Sequence, residues 1–188
     1  MKTKIAILGG GNIGLSLAKG LVSSGNCEAK QITITRRNKS LLADYEQQGF
    51  NISDDNIESV KKSEIIVIAV LPQQLNSLLP QIIRAINSKK HLVISVVSGV
   101  TVKDITDQLG SKVQIVRAMP NTAIAIRQSM TCIASSNASK ESMKKVNAIF
   151  KTVGEVIEIH EELMTSATAL CACGIAFFLR AIRAASQG

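Results

Sequence analysis

The sequence predicts an α/β fold, a doubly wound and mostly parallel sheet followed by the start of an all-helical region. Three observations carry this. Short aliphatic or β-branched runs alternate with helical patterns six times between residues 4 and 117. The run at 64–70 is nearly all aliphatic, as a parallel strand buried on both faces is. After residue 159 the pattern changes, and 160–170 and 175–186 read as consecutive helices. The expected division is therefore a sheet-containing part at 1–159 and a helical part at 160–188.

The first strand is Ile5-Ala6-Ile7-Leu8, and it runs straight into Gly9-Gly10-Gly11-Asn12-Ile13-Gly14. A helical face of Ile13, Leu17, Leu21 and Val22 follows and stops at Gly25. A G-x-G-x-x-G can be a turn that binds nothing; set between a strand and a helix it is the dinucleotide-binding, Rossmann-type arrangement. Gly9 permits the tight turn, Gly11 lets backbone approach a pyrophosphate, and Gly14 lets the helix lie on the strand. N–H groups of the first turn, from Asn12 and Ile13 onward, face the phosphates with the helix dipole behind them.

Residues 31–35 alternate and form the second strand, whose end decides the cofactor. A site for NAD(H) places a carboxylate there for the ribose hydroxyls. This chain has Thr35-Arg36-Arg37-Asn38-Lys39, and paired guanidiniums suit a 2′-phosphate. NADP(H) is the expected cofactor, with NAD(H) as the lesser alternative and a solvated basic turn as the plain reading. Ser40 is placed to cap a helix over 41–48, ended by Gly49, before a short strand at 50–52. Asp54-Asp55-Asn56 opens another helix, where Asn56 either caps or reaches the cofactor.

After the strand at 64–70, Leu71-Pro72-Gln73 turns into a helix running to about residue 87. A strand at 91–97 ends in Ser98-Gly99, and Thr101 with Asp104 resembles a capping pair for the helix to Leu109. The sixth strand is 112–117, and two more are expected at 129–134 and 155–159, flanking a helix at 139–153. Ligands of such sheets lie beyond the carboxyl ends of the strands. The candidate site is thus the set of loops 9–14, 35–38, 69–73 (Ala69 and Val70 included), 97–99 and 118–122.

With 46% hydrophobic and 19% charged residues over 188, the chain is globular and long enough to bury a core. No apolar run reaches membrane-spanning length, and Lys2 and Lys4 precede too short a run for a signal peptide. A cytoplasmic protein with no membrane partner is expected. The formal charge is +8, but the basic residues are scattered and aromatics are only 3%, so nucleic acid is not an expected partner. Cys27, Cys132, Cys171 and Cys173 show no metal-site spacing, and small buried thiols are expected. Arg180 and Arg183 read as a solvated stripe.

Several of these runs resemble the pyrroline-5-carboxylate reductase family over essentially the whole length. The matching stretches are the glycine loop, Ala69-Val70-Leu71-Pro72-Gln73, Ser98-Gly99-Val100-Thr101, Arg117-Ala118-Met119-Pro120-Asn121-Thr122-Ala123 and the segment 168–176. The Arg-x-Met-Pro-Asn-Thr run is the most specific, because related dehydrogenases share only the glycine loop. Three places depart from the family: Leu71 stands where it usually has Lys, Cys171-Ala172-Cys173-Gly174-Ile175-Ala176 replaces Ser-Gly-Ser-Gly-Pro-Ala, and 124–129 lacks the usual glycines.

The resemblance implies NAD(P)H-dependent reduction of 1-pyrroline-5-carboxylate, a cyclic imine, to proline. It places Met119, Pro120 and Asn121 on the nicotinamide side, Glu161 against substrate, and Thr168, Cys173 and Gly174 in the substrate-side loop. It also implies an interwoven homodimer, or a larger oligomer of dimers, built by a helical domain that this chain reaches only in part; a truncated chain is expected. Plainer readings of the same residues are turn formers for Asn121 and Thr122, a helix-start charge for Glu161 and core for Thr168. The alternatives are a β-hydroxyacid-type or deazaflavin-linked NADP reductase of the 6-phosphogluconate-dehydrogenase-like group, and a nucleotide-sensing module without chemistry. The former carries a catalytic Lys on the helix after the sheet, and 163–182 has no Lys.

Overall fold

The computed structural model describes residues 3–188. Its strands are β1 (Ile5–Leu8), β2 (Ile32–Thr35), β3 (Asn51–Ser53), β4 (Ile65–Ile68), β5 (Leu92–Ser95), β6 (Gln114–Met119), β7 (Ser129–Ala134) and β8 (Gly154–Glu158). They form one eight-stranded sheet in the order β3-β2-β1-β4-β5-β6-β7-β8. Every pairing is parallel except β6 with β7. The chain reverses its direction of travel across the sheet between β1 and β4, which opens a crevice at their carboxyl ends.

Successive strand residues point to opposite faces, and both faces are covered. Ile5 and Ile7 join Leu17 and Leu21 of α1 (Asn12–Ser23) in one core layer. Ala6 and Leu8 join the other, which Leu79 and Ile105 complete. Helices α2 (Ala43–Gln47), α3 (Asn56–Lys61), α4 (Pro72–Ile82), α5 (Val102–Leu109) and α6 (Lys140–Phe150) complete the two layers. Leu79 of α4 and Ile105 of α5 belong to the second layer, and Phe150 of α6 to the first.

Four local readings change. Asn38, not Ser40, caps the turn into α2, by accepting the Ser40 N–H on its Oδ1 at 3.1 Å. Asp55 caps α3, so Asn56 is its first residue and not its cap. β6 runs on to Met119, two residues beyond the charged Arg117 at which the expected strand ends. Only Cys27 and Cys132 are buried, whereas Cys171 is half-buried and Cys173 exposed.

The largest change is at the carboxyl end. The two expected helices are one continuous helix, Glu161–Gln187. Met164–Ala167 is α-helical, Thr168–Cys173 is π-helical, and Gly174–Gln187 is α-helical again. Gly174 keeps right-handed helical angles (φ −56°), so the small residues widen the turn without breaking it. By length and composition this helix is apolar enough to cross a membrane, with mean hydropathy 1.6 and only 6% of that window buried. The small residues at 171–174 divide this run into two shorter ones in the sequence, which is why no apolar run of that length is expected there.

Candidate active site at the carboxyl edge of the sheet

The loops named from the sequence meet at the crevice between β1 and β4. Gly9 (φ +117°) turns the chain there, and a β-carbon on it would stand 2.3 Å from the Ala69 carbonyl oxygen. Ala69 in turn donates its N–H to the Leu8 carbonyl at 2.8 Å, which locks the two strand ends together. A β-carbon on Gly14 would lie 2.4 Å from the Gly9 carbonyl oxygen and 2.9 Å from Ile7 Cγ2, so this glycine sets the closeness of α1 to β1.

Gly11 is different, because a β-carbon there would meet nothing within 4 Å. It precedes the first turn of α1, which has neither a side-chain cap nor an acidic residue. By helix geometry the N–H groups of Asn12, Ile13 and Gly14 have no acceptor within the helix; Leu15 N–H bonds the Gly11 carbonyl at 2.9 Å. An uncapped, carboxylate-free helix start facing open space fits a phosphate diester.

Arg36 lies alongside this loop. Its Nη1 donates to the Gly10 carbonyl at 2.8 Å, while Gly9 and Gly10 both donate their N–H to the Thr35 carbonyl (3.2 and 2.8 Å). Arg37, the next residue, is exposed. Asn56 is spent internally: its Oδ1 accepts Thr35 Oγ1 at 2.6 Å and its Nδ2 donates to Gln81 Oε1 at 3.0 Å. It ties β2 to α4. Val70 is half-buried, and Leu71, Pro72 and Gln73 are exposed at the mouth of the same crevice. Across it, Gly99 (φ +74°) turns the chain after β5, and Ser98 Oγ donates to Met119 Sδ at 3.9 Å.

The carboxyl end of β6 joins this edge to the C-terminal helix. Arg117, whose side chain is 7% exposed, pairs through Nη1 with Glu161 Oε1 at 3.1 Å. The same oxygen accepts the Val102 N–H at 2.7 Å, so Glu161 also neutralises the start of α5. This commits one carboxylate oxygen of Glu161 to the protein. Arg117 is not among the site residues expected from the sequence; the signal it offers is an arginine between apolar neighbours, Val116 and Ala118, which requires a carboxylate partner once buried.

Met119 and Met164 share a buried cluster with Cys132 and Ala134, and Cys171 packs against it. Burial first, and then the neighbouring Cys171 thiol, push the Cys132 thiol pKa up, so it stays protonated. Pro120 is buried, and Asn121 Nδ2 donates to the Cys171 carbonyl at 3.1 Å. Thr168 is half-buried and donates its hydroxyl to the Met164 carbonyl at 2.7 Å. Cys173 and Gly174 close the π-helical stretch one turn further on. The structure thus brings together the loops after β1, β2, β4, β5 and β6, and ties the π turn to the last of them.

Comparison with known proteins agrees with this arrangement. The family described as NADP oxidoreductase, coenzyme F420-dependent, matches residues 4–99. Pyrroline-5-carboxylate reductases 1 and 2 of Dictyostelium discoideum are 43% and 44% identical over 98% and 97% of the chain. The chain spans 35% and 66% of those relatives' own lengths. The pyrroline-5-carboxylate reductase of Methanosarcina acetivorans is 34% identical, with 98% of this chain and 69% of that protein covered. Among solved structures, a Coxiella burnetii pyrroline-5-carboxylate reductase superposes with TM-score 0.92 at 29% identity, covering 98% of this chain and 69% of that one. The Plasmodium falciparum pyrroline carboxylate reductase with NADP bound gives TM-score 0.86 at 28% identity, covering 97% and 67%.

Proposed function

The chain belongs to the pyrroline-5-carboxylate reductase family, and on that premise we propose that the whole protein reduces 1-pyrroline-5-carboxylate to proline with NADPH. The observation that supports it best is the conjunction on one sheet edge of a phosphate-ready helix start and the Arg-x-Met-Pro-Asn-Thr run. In this reading Gly9, Gly11 and Gly14 shape the cradle, and the N–H groups of Asn12 and Ile13 meet the pyrophosphate. Arg36, held on the Gly10 carbonyl, and the exposed Arg37 meet the 2′-phosphate, which favours NADPH over NADH. Ala69, Val70, Pro72, Gln73, Ser98 and Gly99 line the walls, and Met119 and Pro120 stand on the nicotinamide side.

Bound NADPH supplies the hydride that reduces the imine carbon, and the imine nitrogen gains a proton. The protein's own task is orientation. Holding donor and acceptor carbons in contact is worth about 7–11 kcal/mol of the barrier in well-aligned cases. Thr168, Cys173 and Gly174 form the substrate side of the cleft. Glu161 contributes through its ion pair with Arg117, which steadies the helix that carries them. The division into 1–159 for cofactor and 160–188 for substrate and assembly belongs to the same reading, with a second copy of the chain covering the exposed helix.

Thermal melting with paired ligands tests this. NADP⁺ alone raises the melting temperature, and proline added with NADP⁺ raises it further. At one hundred times its Kd a ligand adds about 2.7 kcal/mol, or about 2–4 °C for each kcal/mol in a chain of this size. A further rise with a 2-hydroxy acid and none with proline would replace the imine-reductase reading by a hydroxyacid dehydrogenase.

A further inference from the structure

Residues at i, i+2 and i+4 of an extended chain share a face. Arg117 and Met119 stand so on β6, and Asn121, with extended angles (φ −106°, ψ 178°), continues the row. Each of the three meets a later part of the C-terminal helix. Arg117 grips Glu161, Met119 packs in the cluster of Met164, and Asn121 grips Cys171. The spacing of the Arg-x-Met-x-Asn run is therefore that of a splint.

The third grip falls on the π-helical stretch. A π turn is wider than an α turn and persists where its surroundings hold it, commonly at functional sites. Asn121 is 5% exposed, and both ends of its amide are committed. Oδ1 accepts the Ala123 N–H at 3.0 Å, inside its own loop, and Nδ2 donates to the Cys171 carbonyl at 3.1 Å. Its main-chain N–H is also used, on Ser129 Oγ at 3.1 Å. The loop that Met119 and Pro120 open is thereby bonded through one side chain to the turn that begins at Thr168.

We propose that Asn121 is a positioning residue, whose carboxamide holds the π turn 168–173 at a fixed separation from the Met119-Pro120 wall. What is positioned, Thr168 against an imine, rests on the reductase reading; the splint itself does not. A misplacement of about 1 Å in such a cleft costs roughly 100-fold in rate, so one side-chain hydrogen bond has leverage on turnover far beyond its share of stability.

Asn121→Ser separates the two functions of the amide. Serine keeps a hydroxyl to cap Ala123 but is too short to reach Cys171. We expect amide hydrogen exchange of 168–174 to rise about threefold to tenfold, the loss of one hydrogen bond, with β6 and β7 unchanged. NADPH Kd stays within about twofold, and kcat for pyrroline-5-carboxylate falls at least about tenfold with KM for NADPH unchanged. Weaker NADPH binding with unchanged exchange would make Asn121 a cofactor ligand, and a general rise in exchange would make it a fold residue. Unchanged kcat beside faster exchange would also overturn the proposal. If neither the chain nor the chain joined to the portion of its relatives that it does not cover turns over the imine, the reductase reading fails, while exchange and NADPH affinity still decide the splint. Should the serine variant not fold, Asn121→Asp, which keeps the acceptor and loses the donor, carries the same readouts.

Discussion

Gly11 and Gly14 lie three residues apart and meet opposite surroundings. A methyl on Gly14 collides with the Gly9 carbonyl, whereas one on Gly11 enters open space at the uncapped start of α1. Gly11→Ala should therefore melt within about 1 °C of the parent and bind NADPH at least tenfold more weakly, roughly 1.4 kcal/mol. Gly14→Ala should lose about 1–3 kcal/mol of stability through overpacking. Thermal melts and NADPH fluorescence titrations check both, and equal NADPH affinity in Gly11→Ala would remove the phosphate from that space. The packing role of Gly14 is legible in the sequence because it depends on neighbours in the chain. The roles of Asn56 and Asn121 are not. The partners of the Asn56 amide lie 21 and 25 residues away and that of Asn121 Nδ2 lies 50 away, and no local pattern announces them; the turn-former reading of Asn121 covers only its Oδ1 contact with Ala123.

At the scale of elements, local alternation made the strands and helices legible, and a charge hid one boundary. The sequence pattern ends the sixth strand at Arg117, yet the strand continues because Glu161, 44 residues on, neutralises that guanidinium. The small residues at 171–174 suggest a break, and the backbone instead widens into a π turn held from outside by Asn121. His91, which the sequence pattern includes in the fifth strand, stands at the entry to β5. It is 3% exposed, and its Nδ1 accepts the Asn87 N–H at 3.1 Å, so the neutral ring carries its proton on Nε2. Burial first, and Lys90 second, hold its pKa below the ordinary 6.5. The folded state then binds its proton less readily than the unfolded state. The stability it contributes is complete above about pH 6.5 and is lost as pH falls through the lower folded value. Urea melts of His91→Gln and the parent should converge below pH 6.5, with the parent losing more on acidification. Parallel pH profiles would mean that folding leaves the ring's pKa unchanged.

The whole molecule leaves one helix without a second layer. Leu170, Phe177, Phe178, Leu179 and Ile182 are each 61–72% exposed. Apolar surface of this extent marks an interface. The sequence marks 160–170 and 175–186 as helices but does not say what covers them, because a cover for this face involves atoms outside these residues. A second copy predicts a dimer by light scattering, and Phe177→Glu with Phe178→Glu should convert it to monomer with NADPH affinity retained. A monomeric parent that partitions onto lipid vesicles would assign the helix to a membrane instead.

The proposed reaction is tested by its product. Proline formation from 1-pyrroline-5-carboxylate and NADPH is followed by mass spectrometry. It is measured for the chain alone and for the chain joined to the portion of Dictyostelium reductase 2 that it does not cover. The expected result is proline formed one-for-one with NADPH consumed, in the joined protein at least. NADPH bound by both and proline formed by neither would contradict the reductase reading and leave a nucleotide-binding module.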